Sequence, residues 1–422
     1  MKLFSKAAII ILMIAMTFTV ASCSNASNEA SSSGSKGTTQ LAIDKETPLT
    51  LEFIDDGEIT ITDPWSTLKY SRNGGSLTAV EGSSISVKKD EKIAFYAVES
   101  KNSPYSTMKI NCSSDCYIYG NIMSLVTLDA TSNEWNPSAT KLTTTKCLSC
   151  LFLNNSHIKN HSEKSLLLPA TTISSNCYDS MFENCTSLTS APALPATDLG
   201  YGSYSSMFEG CTSIKSAPEL PATDLYYNCY SDMFSGCSSL TKAPSLPATI
   251  LYSSCYFSMF AGCVSLTSAP ALPAKTLAQG CYEYMFAGCT SIKNPPKISA
   301  TTLADNCYAN MFEGCTSLKT IPQLPVTALA DNCYQGMFKD CTSITTAELP
   351  AAELTDSCYY GMFEGCSKLN YIKCLATDIS AEDCTDGWVE GVAASGTFVK
   401  AAGADWSGKT GYDGIPSGWD VQ

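Results

Sequence analysis

One sequence unit recurs eight times between Cys177 and about Asp383, with the consensus C-Y-x-x-M-F-x-x-C-T-S-L-x-x-A-P-x-L-P-A-T-x-L. Each copy carries a Met-Phe pair, and the copies follow at a step of 26 residues, except for one step of 25 before the last copy. A period between about 20 and 29 residues is typical of leucine-rich repeats. Because each such repeat buries its apolar face only against its neighbours, the sequence predicts a solenoid.

The two halves of the repeat predict different secondary structures. In the half C-Y-x-x-M-F-x-x-C, the apolar residues from Cys177 to Cys185 fall on one stripe of a helix, so a short helix is expected. In the other half, leucines alternate with polar residues, and Pro192 and Pro195 exclude a helix. Since proline cannot donate a ladder hydrogen bond, we expect very short strands that end before Pro192, or a partly polyproline-like segment. The repeats thus predict an α/β leucine-rich-repeat solenoid, with short parallel strands on the concave face and short helices on the convex face.

Weaker segments flank the regular copies. Residues 147–172 resemble a degenerate first repeat, and terminal repeats are usually atypical because one face lacks a neighbour. Beyond Asp383 the unit dissolves, although residues 384–422 remain rich in aromatic side chains. The most prominent of these are Trp388, Phe398, Trp406 and Trp419. We interpret the segment as a C-terminal cap that covers the open end of the core, with a separate aromatic ligand platform as the alternative.

Residues 47–120 have a period of two instead. Runs such as 58–62 alternate apolar and polar residues, as half-buried strands do. Asn73 and Gly74 lie between two such runs and tolerate the positive φ angles of a tight hairpin turn. A count of roughly seven or eight short strands predicts a small all-β sandwich before the solenoid region, which we place at residues 121–383.

The N-terminus resembles a bacterial lipoprotein signal. Two lysines precede an apolar stretch that ends at Val20 and is too short to span a bilayer comfortably. The stretch ends in Val20-Ala21-Ser22-Cys23, which resembles a lipobox. The resemblance implies that residues 1–22 are removed and that Cys23 is lipid-modified; an ordinary signal peptide is the alternative. Residues 23–46 predict a flexible tether. We expect a lipid anchor at the outer membrane or cell surface, and the periplasmic face stays open.

Charge and motif content exclude several functions. A net charge of −14 argues against nucleic acid as a partner and against membrane contacts other than the lipid anchor. The chain contains no G-x-S-x-G, phosphate-binding loop or H-E-x-x-H motif. We therefore predict a protein that is not an enzyme and has no cofactor. An active site would require convergent acids, or Cys147 and His157 brought together in a cavity.

Most of the 22 cysteines form two columns, one at each Cys of the repeat. On a helix, the two Cys of one copy would lie about 12 Å apart, too far for a disulfide, whereas those of neighbouring copies would lie within reach. Ser203 replaces one member, which favours buried free thiols, although an exported protein can hold disulfides. Outside the columns, Cys112 and Cys116 are the best disulfide candidates.

The two histidines of the chain provide the sharpest chemical candidate. Cys147, Cys150, His157 and His161 are all residue types that bind zinc. However, only six residues separate Cys150 from His157, fewer than in the usual zinc motif, and Cys147 already belongs to a column. A degenerate repeat without metal is therefore preferred to a metal site.

Two further columns bear on ligand binding. One tyrosine per copy forms a ladder, which we interpret as packing beside the Met-Phe column or, alternatively, as a strip for sugars or proteins. One position on the presumed concave face instead differs between copies: Ala193, Glu219, Ser245, Ala271, Lys297, Gln323 and Glu348. Because side chains that do not point inward are free to vary, this position is where we expect a ligand, with neutral drift as the alternative. The candidate ligand-facing residues are Glu219, Ser245, Lys297, Gln323 and Glu348.

The repeat resembles that of the BspA-like leucine-rich-repeat surface proteins of host-associated bacteria. Cys185-Thr186-Ser187-Leu188 and Leu194-Pro195 stand where that family has C-x-x-L and I-P, and Met181-Phe182 stand where it has Ala-Phe. The period here is longer than the family's. The resemblance implies a cell-surface adhesin that binds proteins of the host matrix or of bacterial surfaces. A glycan-capturing surface lipoprotein is the alternative.

Overall fold

The computed structural model describes residues 44–98, 108–325 and 328–422, all within one structural unit, Leu41–Gln422. Cys23 and the expected signal peptide lie outside the described residues, as does most of the expected tether. In the described ranges the chain is rich in strands and turns, and its one helix is the 3-10 helix Ile122–Leu125. A helix with the length and hydrophobicity of a membrane span was not found in these ranges.

Eight short strands form from the segment that has a period of two. Burial follows the alternation, since Ile59 and Ile61 are fully buried within a strand whose other side chains face outward or are half-buried. The strands are β1 Thr50–Phe53, β2 Gly57–Thr62, β3 Lys69–Arg72, β4 Thr78–Ala79, β5 Ser84–Val87, β6 Lys92–Tyr96, β7 Lys109–Cys112 and β8 Cys116–Asn121. Asn73 and Gly74, with φ of 51° and 73°, join β3 to antiparallel β4, which confirms the predicted hairpin.

The degenerate first repeat shares a sheet with these strands. Five further strands follow: β9 Lys141–Leu142, β10 Ile158–Asn160, β11 Leu166–Leu167, β12 Thr172–Ile173 and β13 Asp198–Leu199. The larger sheet has the order β10-β8-β1-β6-β3-β4, and β11 also pairs with β8. Both β10 and β11 run parallel to β8, whereas β5-β2-β7 form a separate antiparallel sheet. The strand ladder therefore continues from the N-terminal segment into the repeats.

Proline determines where the repeats form strands. Among the described residues, copies with a proline at the position of Pro192 have in this half the two-residue strand β13 and otherwise isolated parallel bridges, such as Leu272 to Ile298. Where Ala347 and Ile372 replace that proline, strands of four residues pair in parallel. These strands are β14 Thr346–Leu349 and β15 Tyr371–Cys374. They are followed in the same sheet by β16 Thr397–Lys400 and the two-residue β17 Asp420–Val421. The expected very short strands are thus confirmed, because proline has no N–H for the ladder.

The helix predicted from Cys177 onward is wrong, because this half of each copy consists of successive turns. The N–H of Phe182 donates to the carbonyl oxygen of Met207 in the next copy at 2.9 Å, whereas the N–H of Met181 donates to that of Tyr178, three residues back, at 3.2 Å. An α-helix would direct both to carbonyls four residues back. Half of these backbone bonds therefore join one copy to the next.

Positive φ angles explain why a helix cannot form. Three positions per copy, four residues apart, have left-handed backbone, as at Asn228 (56°), Asp232 (56°) and Gly236 (71°). Asn, Asp and Gly adopt this conformation more readily than other residues, and it interrupts a right-handed helix every fourth residue. The apolar side chains between them still face one side. The hydrophobic pattern that predicted a helix is therefore produced by turns with a left-handed residue at every fourth position.

The core consists of columns that run through the copies. Phenylalanine rings of successive copies stack with centroids 5.5 to 5.8 Å apart, from Phe152 to Phe363. The methionine that precedes each phenylalanine in the regular copies is fully buried. Every copy therefore presents the same apolar cross-section to its neighbours, which allows them to stack in register.

The repeat geometry continues beyond Asp383. The N–H of Phe363 donates to the carbonyl oxygen of Trp388 at 2.8 Å, so Trp388 occupies the methionine position of one more copy. The Trp388 ring packs against those of Tyr359 and Trp406, with centroids 6.3 and 5.8 Å apart. The side chains of Trp388, Phe398, Trp406 and Trp419 are buried, so they do not form an open platform for a ligand, while Tyr412 of the same segment is exposed.

Candidate functional site

The position that differs between copies is at the surface in each of them. The residue that follows it is buried, as Leu220 is after Glu219, or half-buried, as Ile298 is after Lys297, so the chain alternates between the core and solvent here. We call this set the variable row; its exposed members are Ala193, Glu219, Ser245, Ala271, Lys297, Gln323 and Glu348. The structure therefore brings the candidate ligand-facing residues onto one line across seven copies.

Side chains of the variable row contact side chains of neighbouring copies. The Ser245 hydroxyl donates to Oε2 of Glu219 at 2.9 Å. At the other end, Glu348 is in parallel register with Lys373, whose Nζ lies 3.9 Å from Oε2 of Glu348. Carboxylates and ammonium groups alternate along this surface, so it offers both charges to a partner.

A cavity adjoins the variable row between two copies. It has a volume of about 400 Å³, and Gln323 and Glu348 belong to its lining. The other lining residues are Thr320, Ile321, Pro322, Leu324, Thr346 and Pro350. Apolar side chains beside a few polar groups are typical of a binding pocket. The cavity thus lies where the proline-bearing copies give way to strand β14.

The predicted tyrosine ladder is part of the core. All eight of its rings are at most 1% exposed, and neighbouring rings stack with centroids 5.6 to 6.2 Å apart. The packing interpretation is correct, and the ladder is not accessible to a sugar. Burial raises the pKa of these phenols, and the hydroxyls of six have no hydrogen-bond partner among the described residues. The six are Tyr178, Tyr204, Tyr230, Tyr256, Tyr282 and Tyr334.

Other tyrosines are exposed, and four of them form what we call the tyrosine cluster: Tyr201, Tyr226, Tyr227 and Tyr252. Their exposed fractions are between 39% and 48%. The Tyr252 ring stacks on that of Tyr226 at 5.3 Å and lies 5.2 Å from that of Tyr227. Sequence reasoning missed this cluster. Its signal is that an aromatic residue stands at one or both of two adjacent positions in three consecutive copies only, at residues 200–201, 226–227 and 252–253.

The second cysteine column has a hydrogen-bonding function. Each thiol from Cys185 to Cys366 donates to the carbonyl oxygen of a phenylalanine in the preceding copy, with donor–acceptor distances of 2.9 to 3.1 Å. These thiols are free, as predicted for this column. Burial raises the pKa of Cys211 and of Cys263 to about 12. A buried thiol here fills the space and gives a second donor to a carbonyl that already accepts a backbone N–H, as the carbonyl of Phe208 does from Cys211 at 3.1 Å.

Cys112 and Cys116, the disulfide candidates, lie next to each other at the ends of β7 and β8. Their sulfur atoms are 3.6 Å apart, and Cys116 donates to Cys112. A disulfide requires about 2.05 Å, so the two are thiols in this structure. The hydrogen bond from Cys116 lowers the pKa of Cys112, while the pKa of Cys116 is raised.

The four residues of the possible metal site have separate partners. Cys147 is buried within its column, and Cys150 is half-buried. The Nδ1 atom of His157 lies 3.0 Å from a carboxylate oxygen of Asp115, whereas Nδ1 of His161 accepts two backbone N–H groups. In the described part of the chain, which contains all four, no group of three or more His, Cys, Asp or Glu side chains is placed to hold a metal ion.

Comparison with known proteins agrees with the repeat geometry. A family model described as a BspA type leucine rich repeat region matches the chain in six copies, over residues 152–293 and 279–382. Together the matches run from residue 152 to residue 382, which is over half of the 422 residues. The chain belongs to this family. Curated proteins gave no match. BspA-type leucine-rich repeats indicate a repeat protein involved in protein binding, and such repeats generally act as scaffolds and not as catalysts.

Proposed function

We propose that this BspA-type repeat protein is a lipid-anchored adhesin on the bacterial cell surface, which binds proteins of the host matrix or of other bacteria through the variable row. One contrast carries the proposal. The core columns are almost identical from copy to copy, whereas the row that shares their backbone changes in charge and size at nearly every step. A surface that varies on a constant scaffold is suited to recognition of a specific partner.

The stacked copies favour a partner that contacts several of them at once. In this proposal the repeats form a solenoid that holds the row rigid, so a long partner engages successive side chains without ordering them first. Contacts in register raise the total affinity even where each is weak. Glu219 and Lys297 lie three copies apart, which gives the partner a matching charge order to satisfy.

The proposed location depends on Cys23. Lipid chains on this residue would hold the protein at the outer membrane or cell surface, and the tether would keep the repeats clear of the lipid headgroups. A variant with Cys23→Ala retains the repeats but lacks the site of lipid attachment. We expect this variant to leave the membrane fraction, whereas the wild-type protein remains in it.

Protease shaving of intact cells tests the proposal. If the repeats are outside the cell, external protease removes them while a periplasmic marker protein in the same cells stays intact. Full protection of the repeats until the cells are lysed would contradict the adhesin proposal.

A glycan-capturing lipoprotein is the second candidate function. The observation that favours it is the exposed tyrosine cluster, because exposed aromatic faces are the feature that sugar capture requires and that the buried ladder does not supply.

A further inference from the structure

The geometry points to a binding site for a neutral glycan at the tyrosine cluster, formed by Tyr226, Tyr201 and Asp198. This site lies in another part of the repeat than the variable row. It deepens the second candidate function, glycan capture, on which it rests, and it does not depend on protein binding by the variable row.

The exposed tyrosines form a stack that ends at an open cavity. Tyr252 covers one side of the Tyr226 ring, with centroids 5.3 Å apart and planes at 17°. The preceding copy has Gly200 at the position of Tyr226 and so contributes no ring. Both Tyr226 and Gly200 line an open cavity of about 540 Å³, a volume in the range of small-molecule sites.

The backbone keeps this end of the stack open. A Cβ atom at Gly200 would lie only 2.3 Å from the backbone nitrogen of Ser175, so a side chain does not fit there without a shift of the chain. The half-exposed ring of Tyr201 also lines the cavity. A ligand ring in the cavity would thus take the place of the next member of the stack and meet two tyrosines.

The polar lining indicates what kind of ring would bind. The exposed carboxylate of Asp198 and the hydroxyl groups of Thr172, Ser174 and Ser175 belong to the lining. The Asp198 carboxylate can accept hydrogen bonds from the hydroxyls of a sugar, as can the Ser174 hydroxyl, which itself donates to the carbonyl oxygen of Thr143 at 3.1 Å. An aromatic face contacts the C–H groups of the sugar. A cavity that combines an apolar face with a few oriented polar groups is the usual form of a specific small-ligand site.

Charge argues for a neutral ligand. The lining contains no Lys, Arg or His, so an acidic sugar would meet the Asp198 carboxylate without a compensating cation. Later copies have an acidic residue at the position of Tyr201 and Tyr227, beginning with Asp305. Two copies with uncharged residues there, Ser253 and Gln279, lie between the cluster and these acids. A strongly cationic ligand therefore finds one carboxylate here and not a row of them.

Affinity electrophoresis of the full chain tests this assignment. Native gels are cast with soluble neutral polysaccharides (mannan, xylan, galactomannan or β-glucan), and gels with pectin serve as the acidic comparison. We expect at least one neutral polysaccharide to retard the protein and pectin not to do so. The Tyr226→Ala change should weaken that retardation by about tenfold or more in apparent dissociation constant, equivalent to ~1.4 kcal/mol.

Three matched variants make the result specific. Tyr226→Phe keeps the ring face and should bind as the wild type does, whereas Asp198→Asn should weaken binding because it removes the charged acceptor. Tyr412→Ala removes a ring that is 59% exposed but outside the cluster, and it should change nothing. The assignment is overturned if no neutral polysaccharide retards the wild type, if only pectin does, or if Tyr226→Ala migrates as the wild type in every gel.

Discussion

The buried hydroxyls of the tyrosine ladder lead to an unusual prediction: removing one should stabilise the protein. The ring of Tyr256 is 1% exposed and stacks between those of Tyr230 and Tyr282, at 5.8 and 5.7 Å. Its hydroxyl has no hydrogen-bond partner among the described residues. Mutational data put the cost of burying such a hydroxyl at about 1–3 kcal/mol. Because Tyr256→Phe preserves the stack and removes only the oxygen atom, we expect the free energy of unfolding to rise by about 1 kcal/mol.

Urea denaturation measures this effect as a shift of the midpoint to higher urea at unchanged slope. Tyr119→Phe is the matched control, since the Tyr119 hydroxyl donates to Oε2 of Glu52 at 2.8 Å. Loss of a hydrogen bond to a carboxylate should lower the unfolding free energy by about 1.5 kcal/mol. If Tyr256→Phe shifted the midpoint downward as Tyr119→Phe does, the ladder hydroxyls would have partners, and the reasoning from an unsatisfied column would be refuted.

Three further predictions concern the turns and the cysteine column. Gly262 has a φ of 71°, and a Cβ there would meet no atom closer than 3.7 Å, so Gly262→Val should lower the unfolding free energy by about 1–2 kcal/mol through backbone strain alone. Gly262→Asn should lower it much less, because Asn184 has the same position in its own copy with a φ of 58°. Thermal denaturation compares the two variants. Burial raises the pKa of Asp232 in the folded protein, so the folded state loses stability as the pH rises and this carboxyl group ionises. Asp232→Asn should therefore increase Tm near pH 7. It should give no advantage once the pH falls below the pKa of the aspartate in the unfolded chain. Because the Cys263 thiol is buried with a pKa of about 12, iodoacetamide at neutral pH should modify it only after the protein is unfolded in urea. Mass spectrometry of the peptide that contains Cys263 measures the modification, and rapid modification of the native protein would contradict the buried column.

The sequence predicts the columns because a fixed period forces equivalent residues to stack. The Met-Phe pair, the tyrosine ladder and the two cysteine columns are buried as expected. Proline is equally informative, since its replacement by Ala347 marks where continuous strands begin. In these cases one physical rule, either side-chain burial or the missing N–H, decides the local structure.

The backbone of the Met-Phe half could not be predicted from hydrophobic spacing. Apolar residues at every fourth position fit one face of a helix, but they also fit turns in which every fourth residue is left-handed. The deciding signal is the set of Asn, Asp, Ser and Gly residues four apart, such as Asn228 and Asp232. The exposed tyrosine cluster was missed for a different reason: it arises from three copies only, and a search for what all copies share overlooks it.

Binding by the variable row is the central claim, and a charge swap within the row tests it most directly. The change combines Glu219→Lys with Lys297→Glu, and the matched control combines Glu81→Lys with Lys89→Glu at exposed positions outside the row, so that both proteins keep the wild-type net charge. Binding of the full chain to immobilised collagen, laminin and fibronectin and to intact bacteria is then measured. The account predicts that a protein or cell bound by wild type and control loses about tenfold or more in affinity for the row variant. Equal binding by all three proteins, or no binding by the wild type, would contradict it.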